Sequence, residues 1–195
     1  MMFLSTCIIN ILLVRSGVEE NPGPTIPSSS KLSFCHWNVD GLLARDGIKI
    51  SCIESVVQNY NFDLFAIGES TLSAKIPDEK LRIHGFTSLP FRVDCKSIET
   101  KAKGGVLMYY KDHLPIKRRT DLEIIDEMIV AEIKLKKYDI FVIVLYRSPS
   151  QSSDDLKKIS KDIASLTNQI KDDKPLSHII FTGDFNARSP FLWEN

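Results

Sequence analysis

Cysteine is scarce and a surplus of charge is absent. Four cysteines (Cys7, Cys35, Cys52 and Cys95) are scattered through 195 residues without a Cys-x-x-Cys pair. That spacing excludes a zinc finger and a dense disulfide scaffold, and it fits reduced thiols in an intracellular setting. Lys plus Arg and Asp plus Glu both number 25, so no overall basic field draws the chain to nucleic acid, and any basic footprint must be local. There is no internal repeat, and no low-complexity tract beyond Pro-Ser-Ser-Ser at 27–30. No apolar run reaches the roughly 20 residues of a spanning helix. With 43% hydrophobic and 26% charged residues, the composition is that of a globular protein with one core rather than two domains.

The first 14 residues, MMFLSTCIINILLV, are apolar and uncharged. They have the length of a signal-peptide core but no basic residue ahead and no small-x-small cleavage signal after. The next ten, RSGVEENPGP at 15–24, resemble the ribosome-skipping peptides of some RNA viruses and retrotransposons, whose core reads Asp-Val/Ile-Glu-x-Asn-Pro-Gly-Pro. The resemblance implies that the bond between Gly23 and Pro24 is not made, so that a leader (1–24) is released. Gly17 stands where that pattern has Asp. The plainer alternative is a Pro/Gly turn. Residues 25–31, TIPSSSK, read as a linker.

From Leu32 onward strand and helix signals mix. Strands are expected at 31–39, 62–69, 104–110, 127–135, 138–146 and 176–184, all rich in β-branched and aromatic residues. One helix is expected over 46–60, with Ile48, Cys52, Ile53, Val56 and Val57 on its buried stripe. A second is expected over 152–171, capped by Ser152 or Ser153, with Leu156, Ile159, Ile163, Leu166 and Ile170 facing inward. The pattern is α/β (α+β), with strands grouped between two helices.

Several strands finish on polar residues: Asn38 and Asp40, Glu69, Tyr146 and Arg147, Asp184 and Asn186. Each alone is an ordinary turn, cap or rim residue. Strand ends on one rim are also where α/β proteins build sites. Oxygen donors of this kind suit a hard cation, Mg²⁺ or Mn²⁺, and Mg²⁺ asks for only one or two carboxylates with waters and phosphate oxygens.

Five segments then resemble, in order, the endonuclease/exonuclease/phosphatase superfamily of deoxyribonuclease I, apurinic/apyrimidinic endonucleases and the endonuclease domains of non-LTR (LINE-like) retrotransposons. They are WNVDGL (37–42), DLFAIGES (63–70), RVD (92–94) with GGV (104–106), LYRSPS (145–150) and GDFNA (183–187). The resemblance implies a four-layer α/β sandwich of the deoxyribonuclease I type over 32–195. It makes Glu69 the metal ligand, with Asn38 beside it and Asp40 an outer ligand. It has Asp184 orient or deprotonate the attacking water, Asn186 hold a phosphate oxygen and Tyr146 donate to the scissile phosphate or leaving group. Arg92, Arg147 and Arg188 become candidate phosphate-backbone contacts.

The same resemblance implies a DNA-nicking endonuclease working with a reverse transcriptase encoded downstream, in the nucleus after processing. It also implies a further Ser/Thr-Asp-His segment, which this sequence lacks, so the domain is expected to be incomplete at its C-terminus and inactive alone. None of His36, His84, His113 and His178 matches that position. The alternatives are a phosphatase or RNA nuclease of the same fold, or a non-catalytic remnant. Neither a stable membrane span nor an oligomer is indicated.

Overall fold

A computed structural model describes residues 10–15, 31–44, 46–86, 89–95 and 103–186. In chain order the elements are β1 (Asn10–Arg15), β2 (Lys31–Asn38), α1 (Ile48–Tyr60), β3 (Leu64–Gly68), β4 (Phe91–Val93), β5 (Val106–Tyr110), β6 (Ile116–Arg118), β7 (Met128–Lys134), β8 (Asp139–Tyr146), α2 (Ser153–Asp173) and β9 (His178–Asp184). They form two sheets, β1-β2-β3-β5-β4 and β6-β7-β8-β9.

The long apolar runs have a simple cause: their strands are covered on both faces. In β3, Leu64 and Ala66 point at the second sheet, whereas Phe65 and Ile67 point at α1. In β8, Ile140, Val142 and Val144 face the first sheet, while Phe141, Ile143 and Leu145 lie under α2. The order of layers is therefore helix, sheet, sheet, helix, the four-layer sandwich that the sequence motifs imply.

Each helix is the crossover of a βαβ unit. β2 and β3 are parallel around α1, and β8 and β9 are parallel around α2. A parallel pair requires such a crossover, and it brings both strands to an end on the same rim. α2 begins with a capping box: Asp155 N–H donates to Ser152 Oγ at 3.2 Å, and Ser152 N–H donates to Asp155 Oδ2 at 2.9 Å. Ile159, Leu166 and Ile170 are buried along it, each burial stabilising by roughly 1.5–3 kcal/mol. At the end of the sheet away from that cap, Glu132 is buried between Arg119 (2.8 Å) and Lys174 (2.7 Å), and Lys174 also reaches Asp139 at 2.6 Å. This network ties the end of α2 to β7 and β8.

Three details differ from the sequence expectation. α1 buries Ile53 and Val57 but turns Ile48 and Cys52 to solvent, because Ile50 and Val56 supply the rest of the face packed on the sheet. Two three-residue strands, β4 and β6, add to the sheet edges. Residues 10–15, read from sequence as part of the leader, pair antiparallel with β2 from Asn10 opposite His36 to Arg15 opposite Lys31. Gly23 and Pro24 lie outside the described residues. Among the described residues no helix is long and apolar enough to cross a membrane.

Candidate active site

Four strand ends meet at one rim. β2 and β3 end side by side, with Asn38 opposite Gly68, and Glu69 follows directly. In the second sheet β8 and β9 end with Tyr146 opposite Asp184. One hydrogen bond spans the two sheets: Asn38 Nδ2 donates to Asp184 Oδ2 at 2.8 Å, across 146 positions of chain. Asp184 Oδ1 accepts from the N–H of Asn186 at 3.0 Å. Both carboxylate oxygens are thus held, and the group is aimed before any substrate arrives. Asn38 Oδ1 accepts from the N–H of Asp40 at 3.2 Å, which folds the tip after β2 back over the site. Lys49, from the first turn of α1, donates to the carbonyls of Val39 and Asp40 and braces the same tip.

Asp40, Glu69 and Asn186 all have left-handed backbone, with φ of 46°, 51° and 43°. Each such residue costs about 1–2 kcal/mol and persists only if its surroundings enforce it. Around Glu69 the enforcement is visible. Gly41 N–H donates to the carbonyl of Glu69 at 2.7 Å, and Ser70 and Thr71 donate to the carbonyls of Gly105 and Gly104 at 3.1 and 2.9 Å. Glu127 in turn accepts from Gly105 N–H at 3.0 Å. A side chain at Gly105 would put Cβ 2.6 Å from Ser70 Oγ at a φ of +79°, so this turn must be glycine to come so close to the Glu69 loop.

The electrostatics concentrate negative charge at the rim. Burial pushes the Glu69 carboxyl above its ordinary value; Lys103 opposes this, while Asp184 and Asp40 push it further up. Tyr146 is buried, with its hydroxyl directed at the Glu69 carboxylate. Burial and then Glu69, Glu127 and Asp184 raise its pKa, so it stays a neutral donor facing the carboxylates. His36 lies two residues before Asn38 on β2. Burial lowers its pKa to about 4 against the pull of Asp184, and both ring nitrogens lack partners. It is a neutral ring in the core beneath the site.

Glu69 with the Asn38 amide and Asp40 is a set of oxygen donors, which suits a hard cation and not zinc. Among the described residues no three His, Cys, Asp or Glu side chains converge closely enough to enclose an ion. The set therefore fits an ion that keeps waters and takes oxygens from a substrate, as Mg²⁺ does. The raised carboxyl of Glu69 is the group such an ion would relieve.

The side chains of the remaining sequence candidates are already engaged by other protein groups. Arg92 donates to Asp94 (2.5 Å), Asp78 (2.6 Å) and the carbonyls of Ser73 (2.6 Å) and Ile76 (2.8 Å). Arg147 is buried and donates to the carbonyls of Asn186 (3.0 Å) and Gln151 (2.8 Å). Both are internal braces in this arrangement. Asn186 Nδ2 likewise donates to the carbonyl of Arg147 at 2.7 Å, so a phosphate would have to displace that bond. Arg188 lies outside the described residues. Sequence reasoning missed Lys103, Lys49 and Glu127. Lys103 precedes the Gly-Gly turn and Glu127 opens the strand at 127–135, but nothing local marks either as a neighbour of Glu69 or Tyr146.

A family comparison agrees with this geometry. The endonuclease/exonuclease/phosphatase family matches residues 35–194, and the chain belongs to that family. Among solved structures it is similar to the endonuclease domain of TRAS1, a telomere-specific non-LTR retrotransposon, at 15% identity and TM-score 0.55, over 80% of this chain and 61% of that one. It is also similar to the AP endonuclease LMAP of Leishmania major at 14% identity and TM-score 0.61, over 78% of this chain and 54% of that one. A third is D. rerio TDP2 complexed with a single-strand DNA product, at 17% identity and TM-score 0.58, over 83% of this chain and 63% of that one. The likeness at such identities is one of fold. The chain spans about three fifths of the TRAS1 domain it matches. No curated protein matches it.

Proposed function

We propose that the chain carries the catalytic rim of a metal-dependent phosphodiesterase, the DNA-nicking endonuclease of a non-LTR retrotransposon. Its products would prime a reverse transcriptase continuing in the same frame. The observation that carries this is the Asn38–Asp184 hydrogen bond at 2.8 Å, which places a pre-aimed carboxylate beside Glu69 and Tyr146. In this reading Asp184 orients the attacking water and accepts its proton. Tyr146 donates a hydrogen bond to a nonbridging or leaving oxygen. Asn186 turns from the Arg147 carbonyl to a phosphate oxygen. Glu69, with Asn38 and Asp40, holds the Mg²⁺ or Mn²⁺, which supplies charge neutralisation as negative charge builds on the phosphoryl group.

These residues provide binding, orientation and a base, but no imidazolium. His36 is buried, His113 pairs with Asp63 on the opposite side, and His178 packs on Tyr138 at the far end of β9. We therefore expect the 195-residue chain to bind duplex DNA with Mg²⁺ and to turn over no substrate alone. In this reading the endonuclease acts in the nucleus, and release of the leader at Gly23 takes β1 from the edge of the first sheet and leaves β2 to β9 in place.

Anisotropy of a labelled duplex, with and without Mg²⁺, and nicking of supercoiled plasmid test both parts. Mg²⁺-linked binding lost in Glu69→Gln supports the site. Binding indifferent to Mg²⁺ refutes it. Mg²⁺-dependent nicking abolished by Asp184→Ala refutes the expected inactivity.

A further inference from the structure

Of the cations near the rim, Lys49 and Arg147 are each bound to backbone carbonyls. Lys103 differs. Its side chain is exposed and, among the described residues, makes no hydrogen bond and no ion pair. Its backbone is nevertheless fixed. The next two residues, Gly104 and Gly105, take the N–H groups of Thr71 and Ser70 on their carbonyls at 2.9 and 3.1 Å. Gly105 N–H donates to Glu127 Oε2 at 3.0 Å, and a carbon added at Gly104 would collide with that same oxygen. The turn is thus pressed between the Glu69 loop and Glu127, and Lys103 enters the rim beside Tyr146 and Glu127. It is a free ammonium on a held anchor. Independently, its charge acts on Glu69 more strongly than that of Asp184 or Asp40 does.

We propose that Lys103 is the phosphate-binding cation of this rim and serves two partners in turn. It neutralises Glu69 in the metal-free chain, and it takes a nonbridging phosphate oxygen of the substrate strand once a divalent cation holds Glu69. The proposal rests on the phosphodiesterase reading above. Two cations on one carboxylate repel each other, so Lys103 and the divalent ion compete for Glu69. The ammonium is a compact point charge on a flexible four-carbon stem, which suits a change of partner better than the buried, carbonyl-bound fork of Arg147. Two effects of opposite sign follow. Removing the Lys103 charge eases a divalent cation into the site and deprives the site of its grip on phosphate.

Two binding measurements on the full chain read the two sides separately: Mn²⁺ followed by electron paramagnetic resonance, and anisotropy of a labelled duplex in Mg²⁺ across a salt series. Lys103→Gln is expected to bind Mn²⁺ about threefold tighter. It should bind the duplex about eightfold more weakly near 0.1 M salt, with the slope of log affinity against log salt reduced by about one. Lys103→Arg keeps both affinities. Lys137→Gln, at the β7–β8 turn on the far end of the second sheet, changes neither. Equal losses of duplex binding in Lys137→Gln and Lys103→Gln make the effect one of overall charge. A Lys103→Gln chain that loses both ligands marks a mere support of the turn, and one that leaves either affinity unchanged breaks the exchange. Each of these overturns the proposal and leaves the phosphodiesterase reading standing. A wild-type chain that binds neither Mn²⁺ nor duplex overturns that reading and the proposal with it.

Discussion

A methyl group at Gly183 is expected to take the site apart without touching a site residue. Gly183 pairs with Leu145 in the parallel ladder of β8 and β9, at a φ of +135°, and an added Cβ would lie 1.9 Å from the Leu145 carbonyl oxygen and 2.9 Å from its C and N. All three atoms are backbone in a fully buried strand, so no rotamer change relieves the contact. The new carbon must retreat by about 1 Å to reach even the 3.0 Å floor of real contacts. Asp184 is the next residue and moves with it. The Asn38–Asp184 bond at 2.8 Å and the bond from Arg147 N–H to the Asp184 carbonyl at 2.9 Å then pass the useful limit of about 3.2 Å. Adding the strained backbone to two lost bonds, one of them charged, gives roughly 3–5 kcal/mol.

Gly47→Ala is the control. Gly47 has a φ of +78° and nothing within 4 Å of its added carbon, so only the strain of about 1–2 kcal/mol applies. Urea unfolding followed by circular dichroism measures both. Gly183→Ala costing no more than Gly47→Ala would show that β9 has slack, and the claim of a rigidly pre-aimed Asp184 would fall.

Other perturbations have signs fixed by the structure. Glu69→Gln removes a buried charge held beside Asp184 and Asp40, so without metal it should raise the Tm and cancel any stabilisation by Mg²⁺. Differential scanning calorimetry with and without Mg²⁺ decides this, and a lower Tm without metal would contradict it. His36 has a folded pKa near 4 against an ordinary 6.5, so the unfolded chain binds the extra proton between those values. Stability is then full above about pH 6.5 and falls by up to roughly 3 kcal/mol as the pH drops to 4. His36→Gln should flatten that part of the pH profile, and an unchanged slope would assign the loss elsewhere. Glu132→Ala leaves Arg119 and Lys174 without their buried partner and should cost about 3 kcal/mol in urea; a cost below about 1 kcal/mol would mean that Asp121 and Asp139 absorb both cations.

Much of this arrangement was legible in the residues because it is written locally. Continuous apolar runs mark strands covered on two faces, and Ser152 with Asp155 marks the start of α2. The motifs ending in Asn38, Glu69, Tyr146 and Asp184 mark one rim. What escaped depends on where distant chain returns. Arg147 looks free in sequence, yet its two terminal guanidinium nitrogens donate to the carbonyls of Asn186 and Gln151. Arg92 is likewise claimed by Asp78 from another loop. β4 and β6 are three residues long and have no periodicity to read; they exist because β5 and β7 offer them an edge. Ile48 and Cys52 continue the apolar pattern of α1, but which way a helix rolls is settled by the sheet beneath it. The left-handed backbone of Glu69 follows from the Gly104–Gly105 turn, 35 residues away in the chain.

Because the bond from Asn38 to Asp184 joins the first long strand of the domain to its final described one, the cluster cannot exist in a half-made molecule. A ribosome must thread residue 184 out of its tunnel before the carboxylates can come together. Assembly of the rim is thereby gated by synthesis itself, since its two halves meet only in a finished fold.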